Sequence, residues 1–317
     1  MEPLHNNVFD CALVFEGGGY RAAYTCAFAN VLLEQGIYFD YVCGLSAGAS
    51  NAVNYLSRDR KRVREAFMTG GAARGLVGLR SLLRGHGYFD ADALYEGALR
   101  DGTLEFDWDT FAANPARLRI QAFERDTGRT VRFGRDDMTD PMRMIDLVRV
   151  SSTLPGMMKP IEVDGRVLMD GGLGTGAGIP VGMAEDDGMR RFLFVATRPR
   201  GYRKKEPGAR DKQMFKAVAR DYPYLRKALL TRWERYNVAL DHVEELAEKG
   251  RALVIYPDEM PVENATVNPR KLTAAYEAGH AQYVREMPRV REFLFGAPDA
   301  GPRPDDPDEG TGYITLG

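Results

Sequence analysis

The chain has 317 residues, 43 Lys and Arg against 45 Asp and Glu, and a formal net charge of -2. With 44% apolar and 28% charged residues it can fill a core, which excludes a disordered chain. The longest uncharged window, Tyr41 to Ser57, is rich in Gly, Ser and Asn, which excludes a membrane span there. No Lys or Arg precedes Arg21, and Cys11, Cys26 and Cys43 all lie in apolar runs. A cytoplasmic protein with neither secretory signal nor disulfide framework is expected.

In chain order, Cys11–Phe15 is a short buried strand that ends at Gly17-Gly18-Gly19. A helix follows over about 21–35 and stops at Gly36. Phe39–Cys43 reads as a second strand, passing at Gly44 into a small-residue helix over 47–56. The stretch 60–114 reads as a mostly helical insertion with Gly-rich breaks. Residues 117–124 and 129–133 form a hairpin around Thr127-Gly128, and 141–151 a helix with Pro in its first turn. Asp164-Gly165 marks a tight turn between strands 160–163 and 166–169. Strand 191–197, helices 211–219 and 223–249, strand 252–256 and a final helix over 270–296 complete the pattern. Residues 297–317 read as a disordered tail. Strands interleaved with helices predict one α/β domain over 1–296 with a mostly parallel sheet.

The charge is unevenly placed. Between Arg198 and Arg235 there are 13 basic and 4 acidic residues. Tyr202, Phe215, Tyr222, Tyr224, Trp233 and Tyr236 are scattered among them. Such a mixture suits solvated helix faces, a nucleic-acid patch or an anionic lipid surface.

The chemistry concentrates in three short motifs. Gly44-Leu45-Ser46-Ala47-Gly48 sits between a strand and a helix, where G-x-S-x-G makes a nucleophile elbow. The small residues let the backbone pass closely, and Ser46 stands at a helix N-terminus that favours negative charge. Gly17-Gly18-Gly19 offers successive N–H groups to an anion. The same letters, Gly17-x-Gly19-x-x-Ala22, also fit a dinucleotide fingerprint with Asp40 as the ribose acid. That acid belongs at the end of the second strand, whereas Asp40 lies at its start. Beside Ser46 the triplet therefore reads better as an oxyanion hole.

A serine nucleophile needs a base. His5, His86, His242 and His280 are the only histidines. None falls at a strand end, although His242 or His280 would fit a triad in chain order. Asp170, in Asp170-Gly171-Gly172 directly after a strand, is the better candidate. No metal-ligand cluster is apparent, and the pairs Asp136-Asp137 and Asp186-Asp187 read as exposed turn residues.

Together, Gly17-Gly18-Gly19-Tyr20-Arg21, Gly44-Leu45-Ser46-Ala47-Gly48 and Asp170-Gly171-Gly172 resemble the patatin-like phospholipase family over about 10–200. Ser151-Ser152-Thr153-Leu154-Pro155-Gly156 resembles its usual lead-in to the aspartate. Thr197-Arg198-Pro199 and Gly201-Tyr202-Arg203 look like a bacterial branch. The resemblance implies a three-layer α/β/α patatin-like fold and lipid acyl hydrolysis, of phospholipase A or lysophospholipase type, by a Ser46–Asp170 dyad. It implies an oxyanion hole from Gly18 and Gly19 helped by Arg21, with no metal and no cofactor. A lipid or ester substrate and peripheral contact with an anionic membrane are then the expected partners, rather than nucleic acid. The run Leu-Gly-Thr-Gly-Ala-Gly-Ile-Pro after Gly172 is longer and richer in Gly than the family pattern. A nucleotide-binding protein using the glycine loop and a catalytically silent lipid binder are the alternatives.

Overall fold

The computed structural model describes residues 3–68 and 105–296. Most of the insertion expected over 60–114, His86 and the tail 297–317 lie outside the described residues. The sheet has eight strands: β1 (Val8–Phe15), β2 (Phe39–Leu45), β3 (Arg117–Glu124), β4 (Thr130–Phe133), β5 (Ile161–Val163), β6 (Arg166–Met169), β7 (Arg191–Val195) and β8 (Ala252–Ile255). Their order is β5-β6-β3-β2-β1-β7-β8, with β4 also paired to β3. The five strands from β3 to β8 along this path run parallel, and β4 and β6 lie antiparallel to β3.

Helices cover both faces: α1 (Ala22–Glu34), α2 (Ala47–Leu56), α3 (Arg60–Met68), α4 (Trp108–Ala113), α5 (Pro141–Ser151), α6 (Val181–Asp186), α7 (Ala209–Val218), α8 (Pro223–Glu248) and α9 (Pro269–Phe295). The period of two in a strand divides them. Cys11, Leu13 and Phe15 of β1 pack with Leu193, Val195 and the apolar faces of α1, α2, α5 and α9. Ala12 and Val14, with Phe192 and Phe194, pack with α6 and α8. Strands buried on both faces explain the unbroken apolar runs. The expected three-layer α/β/α arrangement is therefore present.

Local chemistry sets the ends of these elements. Asp140 caps α5 by accepting from the Met142 and Arg143 amides, and Pro141 fills its first turn. Asn268 caps α9 in the same way. One expectation fails. Asp187 is not a free turn residue, because it accepts from Arg119 Nε at 2.8 Å and Tyr41 Oη at 2.9 Å. Two apolar-run neighbours on separate strands supply those donors, so adjacency in sequence gave no sign of the pairing.

The edge of β3 positions the site. Ile120 and Gln121 pair with Gly44 and Leu45 on one side and with Phe133 and Arg132 on the other. Phe123 pairs with Thr130 on the β4 side, so its partner Met169 lies on the β2 side. β2 and β6 thus enter one edge of β3 from opposite ends. Their last residues, Leu45 and Met169, stop on either side of the level of Ala122.

Candidate active site

Ser46 directly follows β2 and precedes α2, with φ 54° and ψ -131°. A non-Gly residue held at positive φ costs of order 1–3 kcal/mol and persists only where the surroundings enforce it. Here they do. The Ser46 amide donates to Ser151 Oγ at 2.8 Å, and Ser151 Oγ donates to the Gln121 carbonyl at 2.7 Å. Gly44 and Gly48 touch so closely that a Cβ on Gly44 would overlap the Gly48 carbonyl. A Cβ on Gly48 would instead overlap the Phe15 and Glu16 carbonyls at the end of β1, so each glycine is required by a different backbone approach.

Asp170 directly follows β6 and is 1% exposed. Ser46 Oγ donates to Asp170 Oδ2 at 2.7 Å. The other carboxylate oxygen, Oδ1, accepts from the Gly172 amide at 2.7 Å, and the Asp170 amide donates to the Thr153 carbonyl at 2.9 Å. The carboxylate is therefore fixed at both oxygens, with one aimed at the serine. His242 and His280 are engaged elsewhere, with Glu185 and Glu34. Asp40 begins β2, at the opposite end from the glycine triplet, and accepts from Asn6.

The triplet lies beside the elbow: a Cβ on Gly17 would stand 3.3 Å from Ser46 Cβ. The Gly17 amide donates to Gly178, the Tyr20 amide to Asn264, and the Arg21 amide to Gly18. Among the described residues, the Gly18 and Gly19 amides have no protein acceptor. Gly19 has φ +57° and contacts the Asn264 carbonyl, so only glycine fits. Arg21 closes the short turn Gly19–Arg21. It is 7% exposed, does not line the cavity, and its Nε and Nη1 have no partner among the described residues. Burial, then the neighbouring Arg198 guanidinium, lowers its pKa against the opposing pull of Glu16.

Ser46 and Gly19 open into a cavity of about 150 Å³. Its walls are mainly apolar, with Val53, Phe67, Phe106, Met144, Ile145 and Val148 among them. Such a lining accepts hydrocarbon next to a nucleophile. Among the described residues no group of three His, Cys, Asp or Glu could hold a metal ion. No helix among them is long and apolar enough to cross a membrane.

Sequence reasoning missed four participants. Ser151 belonged to a recognised block, but its bracing of Ser46 depends on where β3 runs. Arg232, Arg235 and Tyr236 read as parts of a basic aromatic surface. Instead Tyr236 is 3% exposed and donates to Glu16 Oε1 at 2.6 Å, and both arginines reach the loop after Asp170. Their spacing of three and four residues on one helix was the available signal.

No curated protein matches the chain. The structure of VipD from Legionella pneumophila aligns with a TM-score of 0.49 and 15% identity, covering 88% of this chain and 67% of VipD. A family model described as a domain of unknown function (DUF6363) matches residues 222–295. The model described as patatin-like phospholipase matches residues 13–184, a span that holds the elbow, the glycine triplet and the Asp-Gly-Gly turn. With more than half of its length in that match, this chain belongs to the patatin-like phospholipase family, a family of lipid acyl hydrolases.

Proposed function

We propose that the chain is a serine lipid acyl hydrolase of phospholipase A or lysophospholipase type, working through Ser46 and Asp170. The observation that carries this is the 2.7 Å hydrogen bond to Asp170 Oδ2 from the Oγ of Ser46, a residue that lines an apolar cavity. Asp170 takes the Ser46 proton as Oγ attacks the ester carbonyl. The oxyanion forms against the Gly18 and Gly19 amides and the N-terminus of α2. Arg21, buried behind the triplet, adds positive potential to those amides. Collapse breaks the ester C–O bond, and the departing alcohol takes the proton from Asp170. Water then gives a proton to Asp170 and its oxygen to the acyl group, releasing fatty acid and restoring Ser46.

An ester panel on wild type, Ser46→Ala and Asp170→Asn tests this. Both variants are expected to lose at least about 10³-fold in kcat, the scale for removing a nucleophile or its base. Wild-type turnover by Ser46→Ala overturns the reading.

We further propose that the basic segment meets an anionic lipid surface at the cavity mouth. Supporting this, α7 contributes no buried residue and exposes Met214 and Val218 between cations. Val218 lies against Gly156, between the cavity residues Leu154 and Met158. Sedimentation with anionic but not neutral vesicles is expected; equal binding to both refutes it.

A further inference from the structure

Five of the eight residues from Gly171 to Gly178 are glycine. Such a segment loses much conformational freedom on ordering and supplies little packing of its own beyond Leu173 and Ala177. Yet it carries the turn that aims Asp170. Its carbonyls are held from outside. Gln121 Nε2 donates to Gly171 and Thr175, each at 2.8 Å, and the Gly17 amide donates to Gly178 at 3.0 Å. The Gly174, Ala177 and Ile179 amides donate to Gly171, Gly174 and Gly176, and further side-chain donors come from α8. Arg232 Nε donates to Gly172 at 2.9 Å and Ala177 at 3.3 Å, and Arg235 Nη1 donates to Gly174.

Arg232 reaches close to the carboxylate. A Cβ built on Gly172 would stand 2.6 Å from Arg232 Nη2 and 2.8 Å from Asp170 Oδ1. One residue beyond Arg235, Tyr236 donates to Glu16, which directly precedes the triplet and accepts from the Thr197 amide. Residues 232, 235 and 236 share one helix face, so a single turn of α8 touches both the base loop and the approach to the oxyanion amides.

We propose that α8, within the matched domain of unknown function, is a positioning element of the catalytic centre. Arg232 and Arg235 lock the Gly171–Gly178 loop so that Asp170 stays in reach of Ser46, and Tyr236 fixes the strand end that feeds Gly18 and Gly19. Arg232 shares its Nε–H between two loop carbonyls, and the guanidinium of Arg235 spans Gly174 and the Ala228 carbonyl of α8. The proposal rests on the Ser46–Asp170 reading for its link to turnover, but its geometric content stands apart.

The experiment compares wild type with Arg232→Ala, Arg232→Lys and the Arg232→Ala/Arg235→Ala double variant, at full length. Amide hydrogen exchange reports on the loop and needs no activity. Peptides spanning 171–178 are expected to exchange about tenfold faster in the double variant, with β1 and β2 peptides unchanged. The rate at which a fluorophosphonate phosphonylates Ser46, with loss of fluoride, and kcat should both fall about 10- to 100-fold in Arg232→Ala, with KM for a short ester within about twofold. Arg232→Lys should recover part of both. Unchanged loop exchange overturns the proposal, as does loss of protection spread equally over β1. A Ser46→Ala protein that still turns over would instead defeat the dyad, a result distinguishable from either.

Discussion

The Gly17 amide donates to the Gly178 carbonyl at 3.0 Å, joining the glycine triplet directly to the loop that follows Asp170. The two motifs lie far apart in sequence, yet neither can shift without moving the other. Gly178 has φ +137°, a conformation essentially reserved for glycine, and a Cβ there would stand 3.3 Å from the Tyr236 ring. Gly178→Val is therefore expected to destabilise the fold by about 2 kcal/mol or more and to lower kcat further than the lost folded fraction explains. Urea titration beside active-site titration with a fluorophosphonate checks it. A variant of wild-type stability and rate would show that the two loops are not coupled.

The histidines give the opposite expectation. His242 Nε2 lies 2.9 Å from Glu185, and His280 Nε2 lies 3.0 Å from Glu34. These are partly exposed pairs, worth about 0–1 kcal/mol each. His242→Ala and His280→Ala should keep kcat within about twofold of wild type, because both rings are engaged with glutamates away from Ser46. A large kcat loss in one of them would replace the dyad with a triad.

What the sequence could disclose follows from the range of the physics involved. Ser46, Gly44 and Gly48 were legible because an elbow's demands fall within five residues. The two-sided burial of β1, β2 and β7 was legible because it leaves unbroken apolar runs. That Asp170 meets Ser46 was suggested only by a turn signal and a family resemblance. The meeting itself is set by Phe123, whose pairing places β6 on the same edge as β2. Arg232, Arg235 and Tyr236 were misread because composition assigns cations and tyrosines to surfaces. The half-buried arginines answer a Gly-rich loop whose carbonyls need donors, and the buried Tyr236 answers Glu16, needs visible only once the chain is folded.

Lys204 yields a pH prediction. Its ammonium lies 4.2 Å from the Tyr236 ring centroid. Burial, then the Arg232 guanidinium, pushes its pKa from 10.5 down to about 7, with Glu16 opposing. A depressed folded pKa means that the unfolded chain binds this proton and the folded chain does not, between about 7 and 10.5. Stability from this group therefore rises with pH across that window, by at most about 1.4 kcal/mol per unit. Lys204→Met removes the slope. Urea midpoints at pH 7 and pH 10 should differ less in the variant than in wild type. An identical pH dependence in both would mean that Lys204 stays protonated in the folded protein.

Ser152 is the sharpest test of substrate placement. The residue is 5% exposed and lines the cavity beside Ser46, and its buried hydroxyl has no hydrogen-bond partner among the described residues. An unpaired buried hydroxyl costs the folded state about 1–3 kcal/mol. On the proposed reading, an ester held beside Ser46 offers acceptor oxygens to this hydroxyl. Ser152→Ala is then expected to hold or raise thermal stability while lowering kcat/KM about tenfold, since a hydrogen bond of about 1–1.5 kcal/mol is lost from the complex. Its near neighbour behaves oppositely. Ser151→Ala strips the Ser46 amide of its acceptor and should destabilise the protein by about 1–3 kcal/mol. Thermal melts and ester kinetics on the pair separate the roles. If Ser152→Ala destabilises as Ser151→Ala does, its hydroxyl serves the fold and not the substrate.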